Sequence, residues 1–522
     1  MKVLIPAAGI GARLGELTNF LPKPLISVGG KPAISYIIDA YPKDTEFVIA
    51  LGYRGELIRE FLGLVYPEHN IEYVEVSPFE GAGSSLLYSM YCAKEHLQCP
   101  FILHCSDTIV TDSIPSPEFN WDGVHQGYQT AEYRTVLSVG AQLLRINDKG
   151  GATGNQIHIG LVGVHDYAMF WAIAADLLAT PPRDIDPTLA DTDVLNAMAQ
   201  FRVHTFPGWH DVGNLDALGK AIANLGDPEL VMLPKAEQAT YVFRTEIVKF
   251  FHDPPMVERR VKRAETLYPS VPQVTGSTPH FFKYAKAQGE LFGLAFPAEL
   301  PALLQWCYEN LWKWRWFEHS IDMTPYCRAF YLEKTRSRLS KFYQQTGVVE
   351  GSDTINGVPI PHLDILLAQV PWESLFNGTP TKCFHGDLHF ANILKTPDGG
   401  YSLIDWREDF GGCLEVGDVY YDLAKLQHGM IVAHDLVDAK QFEVDYADRE
   451  NIIIDIMRRH RTIECQAVFR AFLDMYGYDK RKVDFLTALI FLNICPLHEY
   501  PYNFFLYYLG KMMLHETLVG KE

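Results

Sequence analysis

Residues 384–394 read FHGDLHFANIL. Asp387 stands two positions after His385, Asn392 stands five positions after Asp387, and the chain then turns apolar. Phosphoryl transfer from a nucleoside triphosphate needs a carboxylate to orient or deprotonate the attacking hydroxyl, and oxygen ligands for magnesium beside the β- and γ-phosphates. Asp387 and Asn392 have the spacing with which a kinase catalytic loop does those two jobs. A second metal ligand is expected on the next hairpin, where YSLIDW (401–406) carries Asp405 at the end of an apolar strand. His385 reads as a brace for the loop. Upstream, EIVKFF (246–251) holds Lys249 in the middle of an apolar run, where an ammonium is costly unless it meets an anion. Its carboxylate partner is expected to be Glu265 in VERRVKRAETL (257–267), with Glu258 as the competing choice. FFKYAKAQGELF (281–292) reads as a strand passing into a linker, as an adenine-binding hinge between two lobes would.

The chain opens differently. VLIPAAGIGARLGELTNFLPKPL (3–25) puts a glycine-rich turn after a strand, so that backbone N–H groups around Ala8, Gly9 and Gly11 can cradle phosphates. No Gly-Lys-Ser/Thr follows, and Leu14 breaks the GxGxxG dinucleotide pattern. Arg13 and Lys23 bracket the loop as two cations suited to a pyrophosphate leaving group. Attack on an α-phosphorus also needs a metal and hence carboxylates. Asp107 ends the apolar run FILHCSD (101–107), and Asp211 lies in the glycine-rich GWHDVGN (208–214). FEGAGSSLLYSM (79–90) contains a turn with Gly81, Gly83 and Ser84, and IGLVGVHDY (159–167) reads as a buried strand. For both, a direct ligand contact and a purely structural role remain open.

At 522 residues the chain exceeds one ordinary core. Up to about residue 225, short apolar runs alternate with helix-patterned segments, the mark of βαβ units and a mainly parallel sheet. GDPELVMLPKAEQ (226–238) is rich in turn formers and charge, which places a boundary near 228–238 and domains at 1–230 and 238–522. Helical patterns dominate from about 290. Forty-five Lys and Arg stand against 64 Asp and Glu, a net charge of −19, which disfavours nucleic acid and anionic membranes as partners. The longest apolar stretch, FLTALIFLNICPL (485–497), is shorter than a bilayer span. Nine cysteines without a CxxC pair read as reduced thiols, and with no export signal the expected compartment is cytoplasmic. Trp312, Trp314 and Trp316 beside Phe317 read as packing aromatics in preference to a cage for a quaternary ammonium. RRHR (458–461) reads as a solvated face.

VKFF, FHGDLHFANIL, LIDW and VGDVYYDLAKL (416–426) together resemble the choline kinase and aminoglycoside phosphotransferase family over about 240–510. That resemblance implies a bilobal, protein-kinase-like α+β domain with Asp387 as base, Asn392 and Asp405 as magnesium ligands, and Lys249 on the ATP phosphates. It also implies Asp418 and Asp422 as braces of the catalytic loop. The glycine-rich loop, Arg13 with Lys23, Asp107 and Asp211 resemble the sugar-phosphate and phosphocholine nucleotidyltransferase family over about 1–225. There the resemblance implies a Rossmann-like α/β domain whose first loop holds the triphosphate. Arg13 and Lys23 would stabilise charge, Asp107 and Asp211 hold the metal, and Gly83 with Ser84 lie against the base. The expectation is a bifunctional enzyme using Mg2+, ATP and a second triphosphate, CTP or UTP. It would phosphorylate a small sugar or amino alcohol and activate the product for surface polysaccharide or lipid synthesis. Its partners would be small molecules, and a homo-oligomer is compatible with this reading.

Overall fold

The computed structural model describes residues 1–127, 132–150, 154–179, 186–198, 200–226, 237–293, 296–313, 321–448 and 450–520. They form two compact units, Met1–Val257 with Thr275–Tyr284, and Glu258–Val274 with Ala285–Glu522.

The first unit is built on a nine-stranded sheet. Asn70–Glu75, Glu46–Leu51, Lys2–Ala7 and Phe101–His104 lie side by side and parallel. Gln156–Val164 then runs antiparallel to Phe101–His104 and to Trp121–His125, whose own neighbour Arg202–Thr205 is parallel to it. Gln142–Asn147 and Thr135–Val139 complete the order as an antiparallel pair. The sheet is therefore mixed, where the sequence pattern predicts a mainly parallel one. The reason is visible at the far edge. Only Gly140 and Ala141 separate the last two strands, Gly140 at φ 58, and so short a connection can only reverse the chain, whereas parallel neighbours need a crossover of a dozen or more residues.

Both sheet faces are covered. Val3, Ile5, Phe47 and Ile49 point to one core and Leu4 and Val48 to the other, the period-two alternation of strands buried on both sides. The helix Gly55–Val65 buries Leu57, Ile58, Phe61 and Leu62 against the first of these cores.

That same core takes in Tyr241, Val248, Phe250 and Phe281 from a four-stranded sheet made of Gln238–Val242, Glu246–Phe251, Phe281–Ala285 and Val274–Ser277. Phe61 lies 5.4 Å from the Tyr241 ring and 5.8 Å from the Phe281 ring. The Tyr241 hydroxyl donates to the Leu25 carbonyl at 2.6 Å, and Glu60 holds both the backbone N–H and Nδ1 of His280 at 3.0 Å. The compact units thus do not divide at 230–238, because this sheet's aromatic face finds its cover on the Phe61 helix. Residues 227–236 lie outside the described residues.

The second unit is mostly helical. Val419–Ile431, His460–Tyr476, Lys480–Ile494 and Tyr502–Val519 surround a core in which the long apolar stretch supplies Phe485, Leu486, Leu489, Ile490 and Phe491, all nearly inaccessible. Among the described residues no helix is long and apolar enough to cross a membrane. Trp312 is fully buried, 6.1 Å from Phe472, and is a packing residue. Trp314, Trp316 and Phe317 lie outside the described residues. A small sheet of Glu290–Leu291, Ile393–Lys395 and Tyr401–Leu403 carries the FHGDLHFANIL loop into the YSLIDW hairpin. All nine cysteines are free.

Candidate active sites

In the first unit the glycine-rich turn leaves the carboxyl end of Lys2–Ala7. Gly11 takes φ 75, and a Cβ there would come 3.0 Å from Lys23 Cβ, so only glycine lets the turn lie against the Pro22–Lys23–Pro24 segment. Lys23 Nζ reaches Asp107 Oδ2 at 2.5 Å. Asp107 sits between Phe101–His104 and Thr108–Val110, and Trp209–Asp211 pairs antiparallel with the latter, bringing Asp211 opposite Thr108. Gly213 marks where these groups converge. A Cβ built on it would lie 2.9 Å from Asp211 Oδ1, 3.1 Å from Asp107 Oδ2 and 3.3 Å from an Arg13 guanidinium nitrogen. Arg13, Lys23, Asp107 and Asp211 are therefore one constellation, gathered from four separate points along the chain.

Its electrostatics are unequal. Burial works against ionisation of Asp107, but the Lys23 ammonium and then Arg13 outweigh it and hold this carboxyl below its usual range. Burial raises Asp211, and the Asp107 charge raises it further. The Tyr133 hydroxyl donates to Asp211 Oδ2 at 3.0 Å. Partial desolvation, then the charges of Arg13 and Arg134, lower Lys149. Tyr133 and Lys149 carry no motif, and only the fold shows that they stand near the two carboxylates. Beside the turn a cavity of about 760 Å³ is lined by Ala8, Gly9, Gly81, Ala82, Ser84 and Ser89. Gly83 lies in the same turn at φ 88, which the Ser84 hydroxyl closes onto the Gly81 carbonyl at 2.8 Å.

In the second unit, Asp387 Oδ1 pairs with Lys425 Nζ at 2.8 Å. Asn392 Nδ2 donates to the Asp387 carbonyl at 2.9 Å, leaving its amide oxygen for a ligand. The buried His385 accepts the Asp387 N–H on Nδ1 at 3.2 Å and donates from Nε2 to the Ile404 carbonyl at 3.0 Å. Burial lowers its pKa to about 4, which keeps the ring neutral in the tautomer both bonds require. Asp422 accepts the backbone N–H groups of His385 at 3.1 Å and Gly386 at 2.7 Å. Asp418 instead caps the helix Val419–Ile431 through the Tyr420 N–H, and takes the Thr379 N–H and the Tyr331 hydroxyl. Of this acidic pair, Asp422 contacts the loop directly.

Asp405 stands at φ 58, a left-handed conformation that Asp tolerates better than most residues. The turn is held on both sides: the Ile404 N–H donates to the Asn392 carbonyl at 3.0 Å and the Arg407 N–H to the His385 carbonyl at 2.9 Å. Asp405 is thereby fixed next to the catalytic-loop segment, one hairpin position from Asn392. Trp406, nearly inaccessible, anchors the turn through its Nε1, 2.9 Å from the Arg260 carbonyl.

Lys249 is nearly buried on Glu246–Phe251 in the first unit, and Glu265 is exposed on Pro254–Leu267 in the second. On that helix the inward residues are Arg260, 3.0 Å from Glu408, and Arg263, which donates to the Phe384 carbonyl at 2.6 Å. Sequence reasoning missed Lys425, Arg260, Arg263 and Arg407. Lys425 sits inside VGDVYYDLAKL, where a cation on a helix otherwise buried nearly all round was the available signal.

Among the described residues no group of three or more His, Cys, Asp or Glu gathers as a self-sufficient metal site. Magnesium on a triphosphate asks for less, one or two carboxylates with phosphate oxygens and waters completing the shell. Asp107 with Asp211 fits that demand, since two carboxylate oxygens flank one point and the charge of one opposes ionisation of the other. Asn392 with Asp405, at adjacent hairpin positions, fits it too.

Residues 317–452 match the model of the Phosphotransferase enzyme family. The chain is 39% identical over 114 residues to mannose-1-phosphate guanyltransferase of Schizosaccharomyces pombe, covering 21% of this chain and 31% of that protein. It is 44% identical over 63 residues to the probable glucose-1-phosphate cytidylyltransferase of Bacillus subtilis, 12% of this chain and 25% of that one. The chain thus spans less than a third of the length of either relative. A solved UDP-glucose pyrophosphorylase complexed with UDP-glucose matches 43% of this chain and 97% of its own, at 16% identity and a TM-score of 0.37. The chain therefore joins a region similar to sugar-phosphate nucleotidyltransferases with a segment that matches the Phosphotransferase enzyme family.

Proposed function

We propose that this chain is a bifunctional transferase. Its second unit would phosphorylate a small hydroxylated metabolite from ATP, and its first would join a phosphorylated metabolite to a nucleoside monophosphate with release of pyrophosphate. The observation that carries this reading is the gathering of Arg13, Lys23, Asp107 and Asp211 around Gly213 in one unit, while the other holds an ionised Asp387 beside Asn392.

In the kinase site Asp387 accepts the acceptor's hydroxyl proton, and Lys425 keeps it ionised and aimed. His385 and Asp422 lock the loop. Asn392 and Asp405 would hold magnesium beside the ATP phosphates. In the nucleotidyltransferase site the N–H groups around Ala8, Gly9 and Gly11 face the triphosphate. Arg13 and Lys23 stabilise charge on the departing pyrophosphate, and the cavity beside Gly83 and Ser84 takes the base of CTP or UTP. Asp107 and Asp211 would hold the second magnesium. Bound at either site, magnesium neutralises phosphate charge that builds in the transition state. Nine free thiols suit a reducing cytoplasm.

The test is a double dissociation. Asp387→Ala should abolish ADP formation while pyrophosphate release from a supplied sugar phosphate persists, and Asp107→Ala should do the reverse. Loss of both activities in either variant would refute two independent sites.

A further inference from the structure

Around Asp387 the second unit collects positive charge that phosphoryl transfer from ATP does not require. Lys334 and Arg338 stand one turn apart on the helix Lys334–Thr346, a spacing that puts them on one face. Lys334 Nζ lies 4.0 Å from the centre of the Phe330 ring, and the Arg407 guanidinium carbon lies 5.1 Å from the same centre. Phe410 and Tyr421 back that ring at 4.6 and 4.8 Å. Arg407 crosses the catalytic loop directly: a Cβ on Gly386, the residue before Asp387, would lie 2.8 Å from Arg407 Cδ.

Three carboxylates act on this cluster, Glu408, Asp387 and Asp409 on Arg407 and Asp387 also on Lys334, and two of them are shared with other cations. Asp387 Oδ1 is paired with Lys425, and Glu408 is shared between Arg260 at 3.0 Å and Arg407 at 3.7 Å. Neither Lys334 nor Arg338 has a carboxylate partner among the described residues, and Arg407 Nε is buried without a hydrogen bond. Burial, then the charges of Arg407, Arg338 and Lys425, push Lys334 well below its usual pKa. Such crowding of like charge is relieved by an anion.

We propose that the acceptor of the second unit is an anionic alcohol, a small hydroxy compound bearing a carboxylate or a phosphate, which Lys334, Arg338 and Arg407 hold by its charge over the Phe330 ring. This rests on the kinase reading above and replaces the cationic amino alcohol among its acceptors, which these three cations would repel. A planar guanidinium and an ammonium flanking one ring suit a two-oxygen anion. The acceptor hydroxyl oxygen attacks the γ-phosphorus, and the bond from that phosphorus to the β–γ bridging oxygen breaks. ADP departs with the electron pair, and the hydroxyl proton passes to Asp387.

The experiment measures ADP formation by the full chain with Mg-ATP and three acceptor sets. One holds hydroxy carboxylates such as glycerate, one holds hydroxy phosphate monoesters such as glycerol 3-phosphate, and one holds choline, ethanolamine and glycerol. One of the anionic sets should exceed the third by about a hundredfold in kcat/KM, and which one does so identifies the anion. Lys334→Gln and Arg338→Gln should each raise KM for that acceptor about tenfold, with KM for ATP nearly unchanged, and Lys334→Arg should restore most of the loss. Equal or better turnover of choline, ethanolamine or glycerol would overturn the inference and leave the kinase intact. So would a rise in KM for ATP alone in the Gln variants, which would assign the cations to the triphosphate. Absence of transfer to both anionic sets would also overturn it, and if calorimetry then found no Mg-ATP binding the kinase reading would fall as well. Should a Gln variant fail to fold by its thermal melt, calorimetric binding of the preferred anion to the native chain at low and high salt decides the same point. Heat that does not weaken with salt would reject a charge-based site.

Discussion

Lys425 Nζ lies 2.8 Å from Asp387 Oδ1, across 38 residues of chain. Burial disfavours the Asp387 charge, but Lys425, then His389 and Arg407, reverse this and hold the carboxyl far below its ordinary range. A base with a depressed pKa stays ionised as pH falls, so the acid limb of the kinase profile should lie well below pH 4. In Lys425→Met the Asp387 pKa rises, and the acid limb of kcat/KM should move to higher pH while kcat at pH 7.5 drops about a hundredfold. An unmoved acid limb would mean that Lys425 does not set the ionisation of Asp387.

Gly213→Ala should damage one activity only. Its new methyl would meet Asp211 Oδ1, Asp107 Oδ2 and Arg13 at 2.9, 3.1 and 3.3 Å. At least one must shift, and a displacement on the order of 1 Å at a reacting centre costs about a hundredfold in rate. Pyrophosphate release should fall by that factor while ADP formation is unchanged; wild-type pyrophosphate release would show that this point is not the reaction centre.

The buried His158 bridges Asp122 at 2.9 Å and Asp191 at 3.2 Å. Burial alone would lower its pKa, but Asp122 and then Asp191 raise it to about 10. Because the folded value exceeds the unfolded one of about 6.5, the stabilisation is complete below that pH and is lost as pH rises through 10. His158→Ala leaves buried carboxylates without their cation and should cost about 3–5 kcal/mol at pH 7. Urea unfolding at pH 7 and pH 10.5 checks both statements, and an equal deficit at the two pH values would contradict the linkage.

Asp422 supplies two carboxylate oxygens to two backbone N–H groups of the catalytic loop, and burial raises its pKa to about 7. Asp422→Asn keeps the shape but offers a single acceptor oxygen, so one N–H meets a donor. A loss of about 1–3 kcal/mol is expected, with a larger proportional fall in kinase kcat than in its KM for ATP. A variant with native stability and turnover would show that this clamp is dispensable.

Much of the placement of these candidate residues was legible from spacing. Asp387, Asn392 and Asp405 lie on one short loop and the hairpin that follows it, and the end of an apolar strand is where such side chains emerge, so local pattern suffices to bring them together. Asp107 was legible for the same reason, at the end of a buried strand. Asp211 was a weaker inference, since its place opposite Thr108 depends on a pairing across about a hundred residues.

The partners that tune these groups were not legible. Lys425 on Asp387, Arg407 across Gly386 and Tyr133 on Asp211 all depend on which elements pack where, and a lone cation in an amphipathic run looks the same whether it faces water or a carboxylate. The allegiance of the 238–285 sheet to the first core was equally hidden, because alternating apolar residues announce that a strand has a face to bury and not what will bury it. The sequence by itself determined the loop and hairpin that carry Asp387, Asn392 and Asp405, the strand-end place of Asp107 and their order along the chain, since those rest on short-range spacing. Only the tertiary structure decided which cation stands against which carboxylate and how deeply each is buried, because Coulomb energies depend on distances and burial set by long-range packing.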